Sequence, residues 1–317
     1  MNKRASAAMH AQTRASRTVK PPTTGAVERQ PPPTVSARWI GSALLVVLAA
    51  AALCVWGVLC LMFWQGSWQL LYHPTSRILH TPAQASVAFD EIGFATTEAG
   101  IPEMQGWWIP AGSGAKSTVL YFHGANGNMS DTVSALARLH AAGLGVFTFD
   151  YRGYGQSHFV RPSEARWRQD AESALRYLEN TRHIPPGAIV VAGEGLGADL
   201  ALEVAAMHPE LEGAILDAPL PDPARRIFED PRAELVPSRW LIEDRWGLDA
   251  AAFKLSIPSL WFCRATDCGM AGKAADPPVY AHVQSSKMLV RLTSPDRAQK
   301  DEEAALARWM GALPDRR

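Results

Sequence analysis

The sequence predicts an α/β fold, a doubly wound and mostly parallel sheet, preceded by one transmembrane helix. Two observations carry this prediction. From about residue 85 onward, short apolar runs without polar alternation, such as Ser117–His123 and Ala188–Ala192, take turns with segments of helical period. Such runs are strands buried on both faces, and helices between them are parallel crossovers. Upstream, residues 43–64 form a stretch of 22 positions without charge or strong polarity.

The first segment, residues 1–38, is polar and Pro-rich and carries seven Lys or Arg against one acid, Glu28. It reads as a disordered basic tail. The remainder holds 24 basic and 30 acidic residues. An acidic body argues against a nucleic-acid partner, since neutralising phosphates needs a basic face. At about 1.5 Å per residue the apolar stretch reaches roughly 33 Å, enough for a bilayer core of about 30 Å. Trp39 and Trp64 bracket it as an aromatic belt would, so the membrane helix is assigned to 39–64. The basic excess lies wholly before the span. The positive-inside rule therefore puts the N-terminus in the cytoplasm and the domain of residues 65–317 on the far side, periplasmic or extracytoplasmic. A cleaved signal fits less well: its apolar region runs about 7–15 residues, and Ala83-Gln84-Ala85 comes about twenty residues too late for a cleavage site.

Past the anchor, Val87–Thr96 and Gln105–Pro110 read as an opening pair of strands. Ser117–His123 is a strand ending in a Gly turn, and Ser130–Ala142 is a helix with Val133, Leu136 and Leu139 on one stripe. Strand Gly145–Asp150, helix Glu164–Asn180, strand Ala188–Ala192, helix Leu196–His208 and strand Gly213–Asp217 follow. Strands Ser259–Cys263 and Lys287–Leu292 and helix Asp301–Met310 close the domain. Functional groups of such a sheet collect beyond the carboxyl ends of its strands.

Several strand ends carry recognisable sequence. Tyr121-Phe122-His123-Gly124-Ala125-Asn126-Gly127 resembles the His-Gly oxyanion loop of α/β-hydrolases, and Asp150 to Ser157 resembles their D-x-R-G-x-G-x-S turn. Gly193-Glu194-Gly195-Leu196-Gly197 stands where that superfamily places G-x-S-x-G, and Thr266-Asp267 resembles the acid-bearing loop. The four motifs are in order over residues 85–312, and Trp68–Pro74 is similar too. The resemblance is to membrane-anchored, cap-less α/β-hydrolases of the serine aminopeptidase-like group. It implies an α/β-hydrolase fold. It also implies backbone oxyanion donors at Ala125 and Leu196, a retained acid at Asp267, and structural roles for His123, Gly124, Asp150 and Arg152.

Two positions depart from the family. The elbow Ser is replaced by Gly195, which adopts a tight turn without steric cost but has no nucleophile. No histidine follows the last strand; Arg297 stands about where it would be and cannot act as a base. Neighbouring Glu194 projects elsewhere from the turn. The sequence thus points to a non-catalytic, pseudo-hydrolase protein in which the pocket takes a small acyl or anionic ligand, or in which Arg297 pairs with Asp267. The alternative is an active acyl or ester hydrolase with a relocated nucleophile, Ser130, Ser157 or Ser294, or with a metal-activated water; a third reading is a scaffold that recruits through its tail. Trp107 and Trp108 read as packing. No cofactor or metal is expected, as Cys263 and Cys268 have no histidine nearby, although they lie close enough in sequence for a bridge. No segment specifies a protein partner.

Overall fold

In a computed structural model, the described residues are 34–112, 117–264, 278–292 and 295–313. The chain divides into two units, residues 1–52 and 53–317. Most of the basic tail lies outside the described residues; in the first unit, helix α1 (Ala37–Gly66) begins at Ala37. This helix is long and apolar enough to cross a membrane, with mean hydropathy 2.8 and none of its apolar window buried. A core helix would have its apolar residues covered by protein, and this window does not. The second unit begins at Leu53 rather than at residue 65, because the last turns of α1 pack on the body. Phe63 is buried, and the Trp56 indole Nε1 donates to the Leu235 carbonyl at 3.0 Å. A 3-10 turn, Ser67–Leu70, then leads directly to buried Leu71 and Tyr72.

Eight strands build the sheet: β1 (Asp90–Thr96), β2 (Pro102–Ile109), β3 (Thr118–Phe122), β4 (Gly145–Phe149), β5 (Ile189–Glu194), β6 (Gly213–Asp217), β7 (Ser259–Arg264) and β8 (Lys287–Leu292). Their order is β8-β7-β6-β5-β3-β4-β2-β1. The hairpin β1–β2 and the β2–β4 pair are antiparallel; all other neighbours are parallel. A two-residue parallel pair, His73–Pro74 with Asn126–Gly127, ties the segment after α1 to the loop after β3.

Strand periodicity sorts the core into two layers. Val119, Val146, Val190, Ile215 and Leu260 face α2 (Val133–Ala141) and α9 (Pro295–Ala312), which contribute Leu136, Leu306 and Trp309. Leu120, Phe147, Val191, Leu216 and Trp261 face the other way, against α3 (Glu164–Arg176) and α4 (Leu196–Met207), with Trp167 and Leu200 among the contacts. Burying each such large apolar side chain contributes about 1.5–3 kcal/mol. Between β6 and β7 the chain makes an excursion through α5 (Arg225–Phe228), α6 (Ser238–Leu241) and α7 (Leu248–Lys254). A short α8 (Pro278–His282) precedes β8.

The expected elements all form, with shifted ends. β1 starts at Asp90 because Val87 N–H is bonded to Pro82 O of a 3-10 turn over Pro82–Ala85. The helix expected from Ser130 opens with a 3-10 turn, Met129–Thr132, capped by the Asn128 side chain. The closing helix starts at Pro295, six residues before the expected Asp301, with proline at the first position, where its missing N–H costs nothing. Arg297 therefore sits in a helical turn instead of a loop.

Backbone packs closely on backbone at the β5–α4 junction. A Cβ on Gly197 would lie 2.3 Å from Phe122 O and 2.4 Å from His123 O, and one on Gly193 would lie 2.3 Å from Gly197 O. These are backbone atoms held by the sheet and cannot retreat. Gly197→Ala is therefore expected to destabilise the domain by about 3 kcal/mol or more, beyond the usual range for an added methyl, in chemical denaturation.

Candidate functional site

The elbow forms between β5 and α4. Gly195 has φ 54° and ψ −122°, a region that costs other residues strain. Its N–H donates to Asp217 O at 2.9 Å, and its carbonyl accepts from Ala198 N at 3.0 Å and Asp199 N at 3.2 Å. The turn is thus fixed from both sides by backbone bonds that need no side chain. Among the described residues nothing lies within 4 Å of where a Cβ at 195 would sit. A side chain there would project into open space.

The loop after β3 supplies the opposite wall. Leu196 opens α4, so its N–H has no intrahelical acceptor. Among the described residues no partner is found for the Ala125 N–H, while Ala125 O accepts from His73 N at 2.9 Å and from Tyr154 Oη at 2.9 Å. Tyr151 Oη donates to His123 O at 3.0 Å. The two tyrosines of the turn after β4 therefore hold the His123–Ala125 loop by its carbonyls, leaving its amides available. Tyr151 is itself clamped, stacked on Trp167 with ring centres 3.9 Å apart. These braces were not picked out from the sequence; the signal for them was two tyrosines three apart inside the Asp150–Ser157 turn. Asp199, one turn into α4, was missed too: its buried Oδ1 accepts from Leu220 N at 3.0 Å, tethering the start of the excursion after β6.

His123 and Asp150 are both fully covered, with His123 Nε2 3.7 Å from Asp150 Oδ1. His123 Nδ1 bonds to Gly124 O at 2.8 Å, and Asp150 Oδ1 accepts Met129 N–H at 2.7 Å. Burial holds the imidazole down to about 4 and pushes the Asp150 carboxyl up to about 7. Desolvation disfavours the charged form of each group. Their bonds are to backbone that shapes the loop. Arg152 does not pair with Asp150. Its Nε is 2.6 Å from Asp170 Oδ1, and Asp170 Oδ2 accepts Arg152 N–H at 2.9 Å, which pins the turn to α3.

Other predicted residues divide. Asp267, Ser294 and Cys268 lie outside the described residues. Arg297 is exposed on the first turn of α9. Ser157 is buried, donates to Asp150 O at 2.6 Å and accepts Gln105 N–H at 3.0 Å, so its hydroxyl is committed. Ser130 is buried and accepts Leu79 N–H at 3.3 Å. Trp107 packs edge-on against Phe89, and Trp108 carries Arg182 over its ring at 4.7 Å. Cys263 is disulfide-bonded. Among the described residues no group of three or more His, Cys, Asp or Glu could hold a metal ion.

The raised carboxyl predicts a pH signature. A folded pKa above the ordinary value contributes stability that is full below about 4 and is lost as pH rises through about 7. The depressed imidazole works oppositely, losing stability as pH falls from 6.5 through about 4. In Asp150→Asn the first contribution is gone while Met129 keeps its acceptor. The stability margin of the wild type over this variant should be largest near pH 4 and shrink steadily to pH 7 in urea titrations; a margin that grows with pH would contradict the assignment.

Residues 113–259 match the family model described as serine aminopeptidase, S33. The uncharacterized protein Rv2307c of Mycobacterium tuberculosis is 32% identical over 166 residues, covering 52% of this chain and 58% of that protein. The uncharacterized protein YfhR of Salmonella typhi is 28% identical over 202 residues, covering 60% of this chain and 67% of its own length. The chain thus spans under two thirds of the length of the first of these relatives. Among solved structures, the Pyrococcus furiosus esterase Pf2001 superposes with TM-score 0.57 at 18% identity, covering 76% of this chain and 98% of that one. An alpha-beta hydrolase from Vibrio vulnificus gives TM-score 0.55 at 16% identity, covering 73% and 82%. Identities this low speak to the fold alone. Residues 113–259 are thus similar to the serine aminopeptidase family, and the domain has the α/β-hydrolase fold.

Proposed function

We propose that the protein is a membrane-anchored pseudo-hydrolase, which uses the preserved oxyanion side of the pocket to bind a small acyl or anionic ligand without turning it over. The observation that carries this reading is Gly195: the elbow keeps φ 54° and ψ −122° with open space above it and no nucleophile in it. The amides of Leu196 and Ala125 and the N-terminus of α4 favour a carboxylate, a phosphate or an acyl oxygen. A relocated nucleophile draws no support from Ser157 or Ser130, whose hydroxyls are buried and engaged. Arg297, exposed on α9, offers no base.

Residues 39–64 are the proposed membrane span, with residues 1–38 cytoplasmic and the domain of residues 65–317 across the membrane. The support is the basic tail, the exposed apolar helix, and the disulfide at Cys263, which belongs in an oxidising compartment.

A fluorophosphonate probe should leave the purified full chain unlabelled, and ester turnover across an acyl-chain series should stay at blank; labelling abolished by a single serine substitution overturns the reading. Gly195→Ser should cost about 1–3 kcal/mol of stability from backbone strain and restore no turnover, because the base is still missing. In sealed right-side-out membrane vesicles, external protease should digest the domain and spare the tail. Digestion of the tail instead would reverse the topology.

A further inference from the structure

At its domain end α1 borders two cavities of different chemistry. Trp64 is half-exposed; its carbonyl accepts from Arg161 Nη2 at 2.9 Å, and the Arg161 guanidinium lies 5.8 Å from its ring centre. A cation on the last carbonyls of a helix is favourable, and a Trp–Arg pair suits the headgroup layer. Beside this pair opens a cleft of about 550 Å³, lined by Trp64, Trp68, Arg161 and Arg166, with Glu243 and Asp244 also on its wall. A mostly apolar crevice of about 150 Å³, lined by Leu59, Met62, Phe63, Leu235 and Val236, with Arg232 also on its wall and paired with Asp230, borders the same helix. Ser67 lines both.

Helix geometry sets their depths. Leu59 lies roughly 8 Å further into the span than Trp64. With Trp64 at headgroup level, the polar cleft is at phosphate depth and the apolar crevice at the depth of the upper acyl chains. The cleft has donors to spare: Arg161 gives Nη2 to Trp64 O and Arg166 gives Nη1 to Arg161 O at 2.8 Å. A guanidinium has five N–H groups, so most remain for a phosphate. The acidic side is selective as well. Asp244 Oδ1 already accepts Glu164 N–H at 3.0 Å, which leaves exposed Glu243 to meet a cation. Two arginines against two carboxylates make a wall without net charge, matched to a zwitterion.

We propose that the interfacial end of α1 is a binding site for one zwitterionic aminophospholipid, its phosphate held by Arg161 and Arg166, its ammonium by Glu243, and an acyl chain in the Leu59–Val236 crevice. The proposal rests on the membrane reading of residues 39–64.

The test uses the full chain, purified in mild detergent, delipidated, and offered phosphatidylethanolamine, phosphatidylglycerol, glycerophosphoethanolamine or inorganic phosphate, with bound molecules counted by native mass spectrometry. One phosphatidylethanolamine should bind, phosphatidylglycerol several-fold more weakly, and the two chain-free probes not at all. Arg166→Gln should weaken the lipid adduct by about tenfold, the worth of one charged hydrogen bond. Val236→Trp, which fills the crevice and leaves the cleft alone, should weaken it as well, and exposed Arg176→Gln on α3 should not. Absence of an adduct, an adduct indifferent to both variants, a preference for phosphatidylglycerol, or equal binding of free phosphate would overturn the site. Alkaline carbonate separates the two readings: a chain released from membranes refutes the anchor itself, whereas a chain that stays embedded but takes up no phospholipid refutes this site alone.

Discussion

The site depends on how closely α4 lies against the end of β3. Gly197 has no side chain because the carbonyls of Phe122 and His123 occupy the place where one would be. That contact brings the N-terminus of α4 to the His123–Ala125 loop. Everything else at the sheet's carboxyl edge reinforces it. Tyr151 and Tyr154 hold the loop by its carbonyls, Asp150 holds Met129 beyond it, and Asp170 secures the tyrosine-bearing turn through Arg152. None of these bonds passes through residue 195. The arrangement of elbow and loop therefore does not depend on a side chain at 195.

Much of this was legible in the sequence, and for physical reasons. Strands such as Val119–Phe122 and Ile189–Ala192 are covered on both faces, so their apolar runs announced themselves. Gly193, Gly195 and Gly197 could be placed on a strand–turn–helix because the flanking periods change from strand to helix at that point. The vacancy at 195 was readable from a single letter. What stayed hidden depends on contacts between segments distant in sequence. The Tyr151–His123 bond spans 28 positions, and nothing local distinguishes a tyrosine that braces a loop from one that fills a core. The partner of Arg152, Asp170, lies 18 positions away on α3. The start of α9 was missed because Asp296 to Lys300 is polar, and polar first turns carry no apolar stripe.

Burial explains why so polar a set of braces is tolerated. The hydroxyls of Tyr151 and Tyr154 each find a carbonyl, so their desolvation is offset. Asp150 lies where a full negative charge would be costly, and the rise of its pKa to about 7 is the response. The result is a loop braced by polar groups whose bonds run to backbone.

The absence of slack at the end of α1 has a consequence of its own. The helix runs to Gly66, the chain turns through Ser67–Leu70, and Leu71 and Tyr72 are already buried in the domain. With α1 in a bilayer, as proposed, the encounters of the domain become a search over a plane in place of a volume. Whatever it meets must be presented within that thin layer of the surface, and geometry selects its partners before affinity does.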